Sequence, residues 1–358
     1  MRNEILSFET ILAEQNAHDA EQLFELYNSL HFIYAAKMEK LEPVFDIVKQ
    51  NWQKAVKLCF PLFSTLTVRK NSKNITATTT QWQYLNRGMI GQHLASNNPV
   101  GSRIVFLASL NQLIKGQYKG NCDSYQIYYR PQNKYSSRMF GGVSIKMGKE
   151  LSETIPCNYF EVPFLQYART KDIQVVEINN GNDADVINFL AMEKGRLYIK
   201  AQELDSDDIN LNALNERFIQ AGLKRTRKIF AARLCSDNSI CGLIIINQSS
   251  LGLNFSFFEN SSELILSKQV CPGFLLQAAQ ALLYKASQLH VSSPLKFLPV
   301  LSDPLHTSII EKLQGKLTRN YNLFMMLRGG YEGWYAYIDE LTNSVFQRFV
   351  NNIYEKSI

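Results

Sequence analysis

The chain has 358 residues, 46% of them hydrophobic and 20% charged, and a net charge of +6. These are the proportions of an ordinary globular protein, long enough for about two domains. The mild positive charge is spread along the chain, which suits anionic ligands and excludes a nucleic-acid-binding signature.

No apolar run reaches the roughly 18 residues that a membrane span requires. The first ten residues carry Glu4 and Glu9 where a signal peptide would be apolar. A cytoplasmic protein is the expectation. Cys59, Cys122, Cys157, Cys235, Cys241 and Cys271 are scattered and form no CxxC. They read as small buried hydrophobes, and no close-spaced Cys or His pair predicts a metal.

Residues 1–29 read as a helical arm, with Leu6, Phe8, Ile11 and Leu12, then Leu23, Leu26 and Tyr27, on one stripe. One or two helices follow over 30–58, the second starting near Pro43. Residues 62–69 and 75–84 are rich in Thr, Val, Ile and aromatics and predict strands, and 89–94 a third. Residues 97–101 predict a loop. Ile104, Val105, Leu107, Ala108, Leu110, Leu113 and Ile114 predict an amphipathic helix. A strand over 125–129, a short helix over 135–140 and a strand over 143–147 complete this half. Residues 157–168 read as extended.

The second half repeats the order. Residues 172–178 predict a strand, 183–194 a helix, 204–208 an acidic connector and 211–221 a helix. Strands are expected over 227–234, 240–247, 253–258 and 263–267. Leu275, Leu276, Ala279, Leu282, Leu283 and Ala286 make the apolar face of a helix opened by Gly273. A strand over 297–301, a helix around Ile309, Ile310 and Leu313, and a strand over 321–327 follow.

Both halves therefore read helix, antiparallel strands, Gly-opened helix, strand, short helix, strand. That order resembles the GNAT acyltransferases. The resemblance implies an α/β (mixed α+β) fold of two GNAT-like domains in tandem. Each would be a mixed, largely antiparallel sheet flanked by helices. The expected division is a helical arm over 1–29 and domains over 30–168 and 169–358.

In that family a Gly-rich loop at a helix N-terminus binds the pyrophosphate of acetyl-CoA, where free N–H groups and the helix dipole favour anions. The resemblance places this role on Gly101, Ser102 and Arg103 in the first half. In the second half it falls on Lys268, Gln269, Gly273 and Phe274. Each loop has a single Gly and a nearby proline, Pro99 or Pro272, where the family has two glycines. A glycine that merely starts a helix is the competing reading. The cofactor implied is acetyl-CoA or another acyl-CoA.

Candidate catalytic groups are His93 as a base near pH 7, Glu259 through a water, and Tyr321 as an acid. A core histidine, a solvated strand-edge carboxylate and a packed tyrosine compete with them. Tyr129, Arg130, Lys134 and Arg138 form a basic, aromatic stretch at a strand end, where open α/β sheets bind ligands. Asp237-x-Ser239-x-x-Gly242 resembles half of the PilZ signature for cyclic di-GMP. Lys224, Arg225, Arg227, Lys228 and Arg233 precede it without that signature's Arg spacing. The same residues make an ordinary hairpin turn.

Two functions follow. One is an N-acyltransferase moving an acyl group from an acyl-CoA or similar thioester or ester donor to an amine. The other is a non-catalytic GNAT-like receptor that binds a nucleotide-type ligand such as cyclic di-GMP and signals to a protein partner. Both predict a small anionic ligand or acyl donor.

Overall fold

The computed structural model of the chain describes residues 14–15, 20–70, 74–168 and 171–355. The first half opens with β1 (Glu14–Gln15) and three helices: α1 (Ala20–Ser29), α2 (Ala35–Leu41) and α3 (Phe45–Ala55). The Leu6 to Leu12 stripe of the expected arm lies outside the described residues. Pro43 sits in the 3-10 turn that leads into α3. An antiparallel meander follows: β2 (Phe63–Lys70), β3 (Asn74–Gln83) and β4 (Gly88–Ser96). Helix α4 (Pro99–Tyr118) then leads to β5 (Ser124–Tyr129). Next come α5 (Lys134–Ser136), a π-helical stretch Ser137–Gly142, α6 (Val143–Met147) and β6 (Ser152–Val162).

The second half holds β7 (Ile173–Ile178), α7 (Ala184–Glu193), α8 (Arg196–Ala201) and α9 (Asn212–Gln220). Its meander is β8 (Arg225–Leu234), β9 (Ile240–Ser249) and β10 (Ser262–Leu266). Then come α10 (Pro272–His290), β11 (Leu298–Ser302), α11 (Thr307–Lys312), β12 (Lys316–Leu327) and α12 (Tyr331–Glu355).

Three local expectations are corrected. Residues 143–147 are helical, not a strand: Val143 is buried and Ile145 is 87% exposed, a helical division of faces. Residues 253–258 alternate apolar and polar, but form turns with Phe257 at φ 58°. Leu253, Phe255 and Phe257 all bury in one cluster with α1 and α3, which satisfies the alternation without a ladder. The loop expected over 97–101 is already helix from Pro99, and Asn98 is its cap.

All described strands join one sheet, ordered β1-β2-β3-β4-β5-β12-β6-β11-β10-β9-β8-β7. Two separate sheets were expected. They merge because each half gives its last strand to the other: β12 pairs with β5, and β6 pairs with β11. The two exchanged strands then pair with each other. From either end, the order is five strands of one half followed by the last strand of the other.

Helix α12 continues this exchange by packing on α4 of the first half. Its Trp334 is fully buried, with ring centroids 5.7 Å from Phe106, 5.2 Å from Tyr125 and 5.1 Å from Phe324. The indole N–H donates to the Met139 carbonyl at 3.2 Å. Trp334→Ala would leave a large cavity and an unpaired carbonyl. A loss of about 3–5 kcal/mol is expected in urea unfolding, the usual cost of a buried Trp→Ala change.

Candidate functional site

Strands β4 and β5 run parallel but pair only over Gly88–Ile90 and Ser124–Gln126. Beyond that point β4 follows β3 and β5 follows β12, so the two strands part. A bulge adds to the opening. Thr80 faces Gln92 while Thr78 faces Ala95, so β4 carries one extra residue there. His93 lies in the bulge with φ 55°. On the adjoining wall a Cβ on Gly91 would lie 1.5 Å from the Tyr125 hydroxyl, so no side chain fits.

The parted strands open into a cavity of about 800 Å³. This is the position, beyond the carboxyl ends of parallel strands, where open α/β sheets take ligands. The β4 edge that faces it has lost its β5 partner and offers unpaired backbone groups.

The matching notch in the second half is crossed by side-chain contacts. There β10 pairs in parallel with β11 over Ser262–Leu264 and Val300–Ser302, and β10 has no bulge against β9. His306 Nε2 donates to the Leu266 carbonyl at 3.1 Å across the gap. Lys268 Nζ lies 3.8 Å from Asp303 and 3.9 Å from Glu193, and its backbone N–H donates to Glu193 at 3.0 Å.

Each half thus carries a helix, an antiparallel meander, a helix opening beside a parted parallel pair, and a closing strand. In both halves this is the element order that the resemblance led us to expect. No protein-family model matches the chain, and no curated protein matches it either. Similar solved structures include a Drosophila protein, with 10% identity over 88% of this chain and 99% of that one and a TM-score of 0.47. A GCN5-related N-acetyltransferase from Sphaerobacter thermophilus gives 10% identity, 88% and 94% coverage and a TM-score of 0.44. A tandem GNAT protein from the clavulanic acid pathway gives 8%, 81% and 95%, and 0.38. These superpositions are loose, and the fold rests on strand order.

The expected site residues divide between the cavity and elsewhere. His93, Ser102, Tyr129, Arg130 and Tyr321 line it. His93 is stacked on Phe255 at 4.2 Å, in a cage with Tyr27, Phe32 and Trp52. Burial and then the Lys37 charge hold its pKa well below the usual histidine value. Its Nε2 accepts from the Phe255 N–H at 3.4 Å, which assigns the proton to Nδ1. Nδ1 has no partner among the described residues. So the ring stays neutral and offers a donor, a poorer proton acceptor than the expected base.

Several assignments are displaced. Arg103 does not face the cavity entrance; it pairs with Asp339 and donates to Thr342 at 3.1 Å. The Gly101 amide is taken by the Asn98 side chain at 2.6 Å, and the Ser102 amide by the Asn98 carbonyl at 3.2 Å. Pro99 has no amide to give. Ser102 Oγ meets the Tyr135 hydroxyl at 3.1 Å. Lys134 and Arg138 are exposed outside the cavity wall. Gly273 and Phe274 stand at the outer end of α10, and the Gln269 amide donates to Ser267.

The PilZ-like residues form a hairpin turn. Asp237 accepts from the Ser239 amide and hydroxyl, and Arg233 pairs with Asp185. Arg225 and Arg227 are fully buried, not available to a phosphate. Arg225 donates to the Tyr84 carbonyl at 2.9 Å and Arg227 to the Gln202 carbonyl at 2.6 Å.

Tyr34, Lys37 and Arg319 are among the cavity residues that escaped the sequence reading. Arg319 follows a register shift in β12 after Leu317, a bulge of the kind that re-aims side chains. Lys37 and Arg319 join Arg130 around the Tyr34 ring, at 5.4, 5.0 and 5.3 Å. Burial and the neighbouring Arg319 and Arg130 charges lower the Lys37 pKa to about 7. Among the described residues no Asp or Glu lines the cavity. No helix of the described residues is long and apolar enough to cross a membrane, and no described group of three or more His, Cys, Asp or Glu could hold a metal.

Glu259 is fully buried behind Phe258, and one of its oxygens accepts from the Gly252 amide at 2.6 Å. Burial pushes its pKa up to about 8 from an ordinary 4.5. Because the folded state holds this proton more tightly, its contribution is present below about pH 4.5 and lost as pH rises through about 8. Unfolding free energy should therefore fall between about pH 5 and 8. In Glu259→Gln that fall should be smaller, as urea titrations at each pH would read.

Proposed function

We propose that the cavity between β4 and β5 is the working site of an N-acyltransferase. Its donor class, by the GNAT resemblance, is an acyl-CoA or a similar thioester. The observation that carries this reading is the contrast between the two notches. One is open, bulged and about 800 Å³; the other lacks the bulge and is crossed by the His306–Leu266 and Lys268–Asp303 contacts.

The chemistry asked of the chain is modest. A donor laid along the parted strands presents its carbonyl to the unpaired edge of β4. Backbone N–H groups there receive the negative charge that grows on the carbonyl oxygen as the amine attacks. The C–N bond forms, the C–S bond breaks, and the proton shed by the amine ends on the departing thiolate. The aromatic walls, among them Phe32, Tyr128, Tyr129 and Phe140, exclude water from the acyl group. We also propose that the chain is a tandem of two related units dividing near residue 169, with only the first retaining an open site.

Thermal shift and calorimetry against acetyl-CoA and longer acyl-CoAs test this reading. Binding is expected in the wild type and lost in Ser102→Trp, which obstructs the entrance from a partly exposed position. Gly273→Pro should bind normally, since proline is tolerated in a first helical turn and Gly273 does not line the cavity. Loss in Gly273→Pro with binding kept in Ser102→Trp would move the site to the second half.

A further inference from the structure

The cavity has two unlike polar ends. At the α4 end the groups are neutral: Asn97, Asn98 and Ser102, with the Tyr135 hydroxyl against Ser102. Two of the first amides of α4 are consumed by Asn98, and Arg103 is held by Asp339. That end is poorly equipped to hold a multiply charged group.

The opposite end is the reverse. Lys37 comes from α2, Arg130 from the end of β5 and Arg319 from β12, and all meet around Tyr34. Arg130 Nη2 donates to the Tyr34 hydroxyl at 2.5 Å. None of the three cations forms an ion pair with any described residue. The nearby Glu161 is engaged by Lys40. Like charges gathered in a partly desolvated recess repel, and the low-dielectric wall strengthens that repulsion. The ring face of Tyr34 offsets part of it. An anion between the guanidinium groups would offset far more, since an Arg fork matches both carboxylate and phosphate geometry. The depressed Lys37 pKa is the same crowding seen from the amine.

We propose that this end is an anion seat, in which Arg130 and Arg319, with Lys37 beside them, select a ligand bearing a phosphate or carboxylate group. The inference rests on the cavity being the working site. In an acyltransferase the charged group would belong to the amine acceptor or to the far end of the donor. Either way it lies opposite the helix start to which the resemblance assigns the phosphates.

The probes are inorganic pyrophosphate and succinate, titrated by calorimetry at constant ionic strength. The proteins are wild type, Arg130→Gln, Arg319→Gln and, as a surface control, Arg328→Gln, whose side chain is 60% exposed and pairs with Asp123. Each cavity variant should weaken binding at least about tenfold, the loss of one charge-assisted hydrogen bond. The control should match wild type, and thermal unfolding verifies that every variant is folded. Tighter binding of pyrophosphate assigns the seat to phosphate, and tighter binding of succinate to carboxylate. Absence of binding by both probes, or binding equal in all four proteins, overturns the seat. Acyl-CoA titrations separate this from the acyl-donor reading. Anion binding that depends on both arginines, without acyl-CoA binding, keeps the seat and removes the acyl donor. Acyl-CoA binding lost in Ser102→Trp, with anion binding indifferent to both arginines, does the reverse.

Discussion

The exchange of β6 and β12 is the constraint on which the rest of the molecule depends. Strand β5 carries β12 along one edge over Ser124–Tyr129 and β4 along the other only over Ser124–Gln126. The notch between β4 and β5 opens where that second pairing ends, beside the β4 bulge. The same exchange delivers Arg319 and Tyr321, residues of the second half by sequence, to a cavity walled by the first half. Helix α12 then covers the first-half core with Trp334.

Buried polar groups lock the halves together behind this sheet. Arg225 reaches across to the Tyr84 carbonyl and lies 3.8 Å from that ring's centroid, while Trp52 donates to the Gly252 carbonyl at 2.8 Å. Within the second half, Lys194 and Glu263 form a buried pair at 2.8 Å. Such groups are costly unless fully matched, and each is met by a specific partner. The two notches differ in the same sheet: one opens beside a bulge, and the other is crossed by a histidine and a lysine–aspartate contact.

Much of this was legible in the sequence, because strands and helices announce themselves locally. The Thr- and Val-rich runs of β2 and β3, the apolar face of α10 and the β8–β9 hairpin all needed only neighbouring residues to be read. Strand pairing did not. Nothing in Ser152 to Val162 says that its partners are Leu298 to Ser302 and Lys316 to Met326. The site suffered for the same reason. Arg130 and Tyr129 sit at a strand end and could be singled out, while Lys37 and Arg319 become neighbours only through tertiary contact. Arg103 and Arg138 looked equivalent to Arg130 in the sequence, and only packing shows that one serves α12 and the other stays outside the cavity.

The exchanged strand also sets an order of events at the ribosome. When residues 1–168 have emerged, β5 still presents a row of unpaired backbone groups on the edge that β12 will cover. Met89, Phe106, Tyr125 and Phe140 are at that moment without Phe324, Met326 and Trp334, which complete their cluster. The nascent first half is thus an open template for another chain until translation passes residue 338. During synthesis, then, the β5 edge and this cluster are completed only by the last strand and helix of the chain.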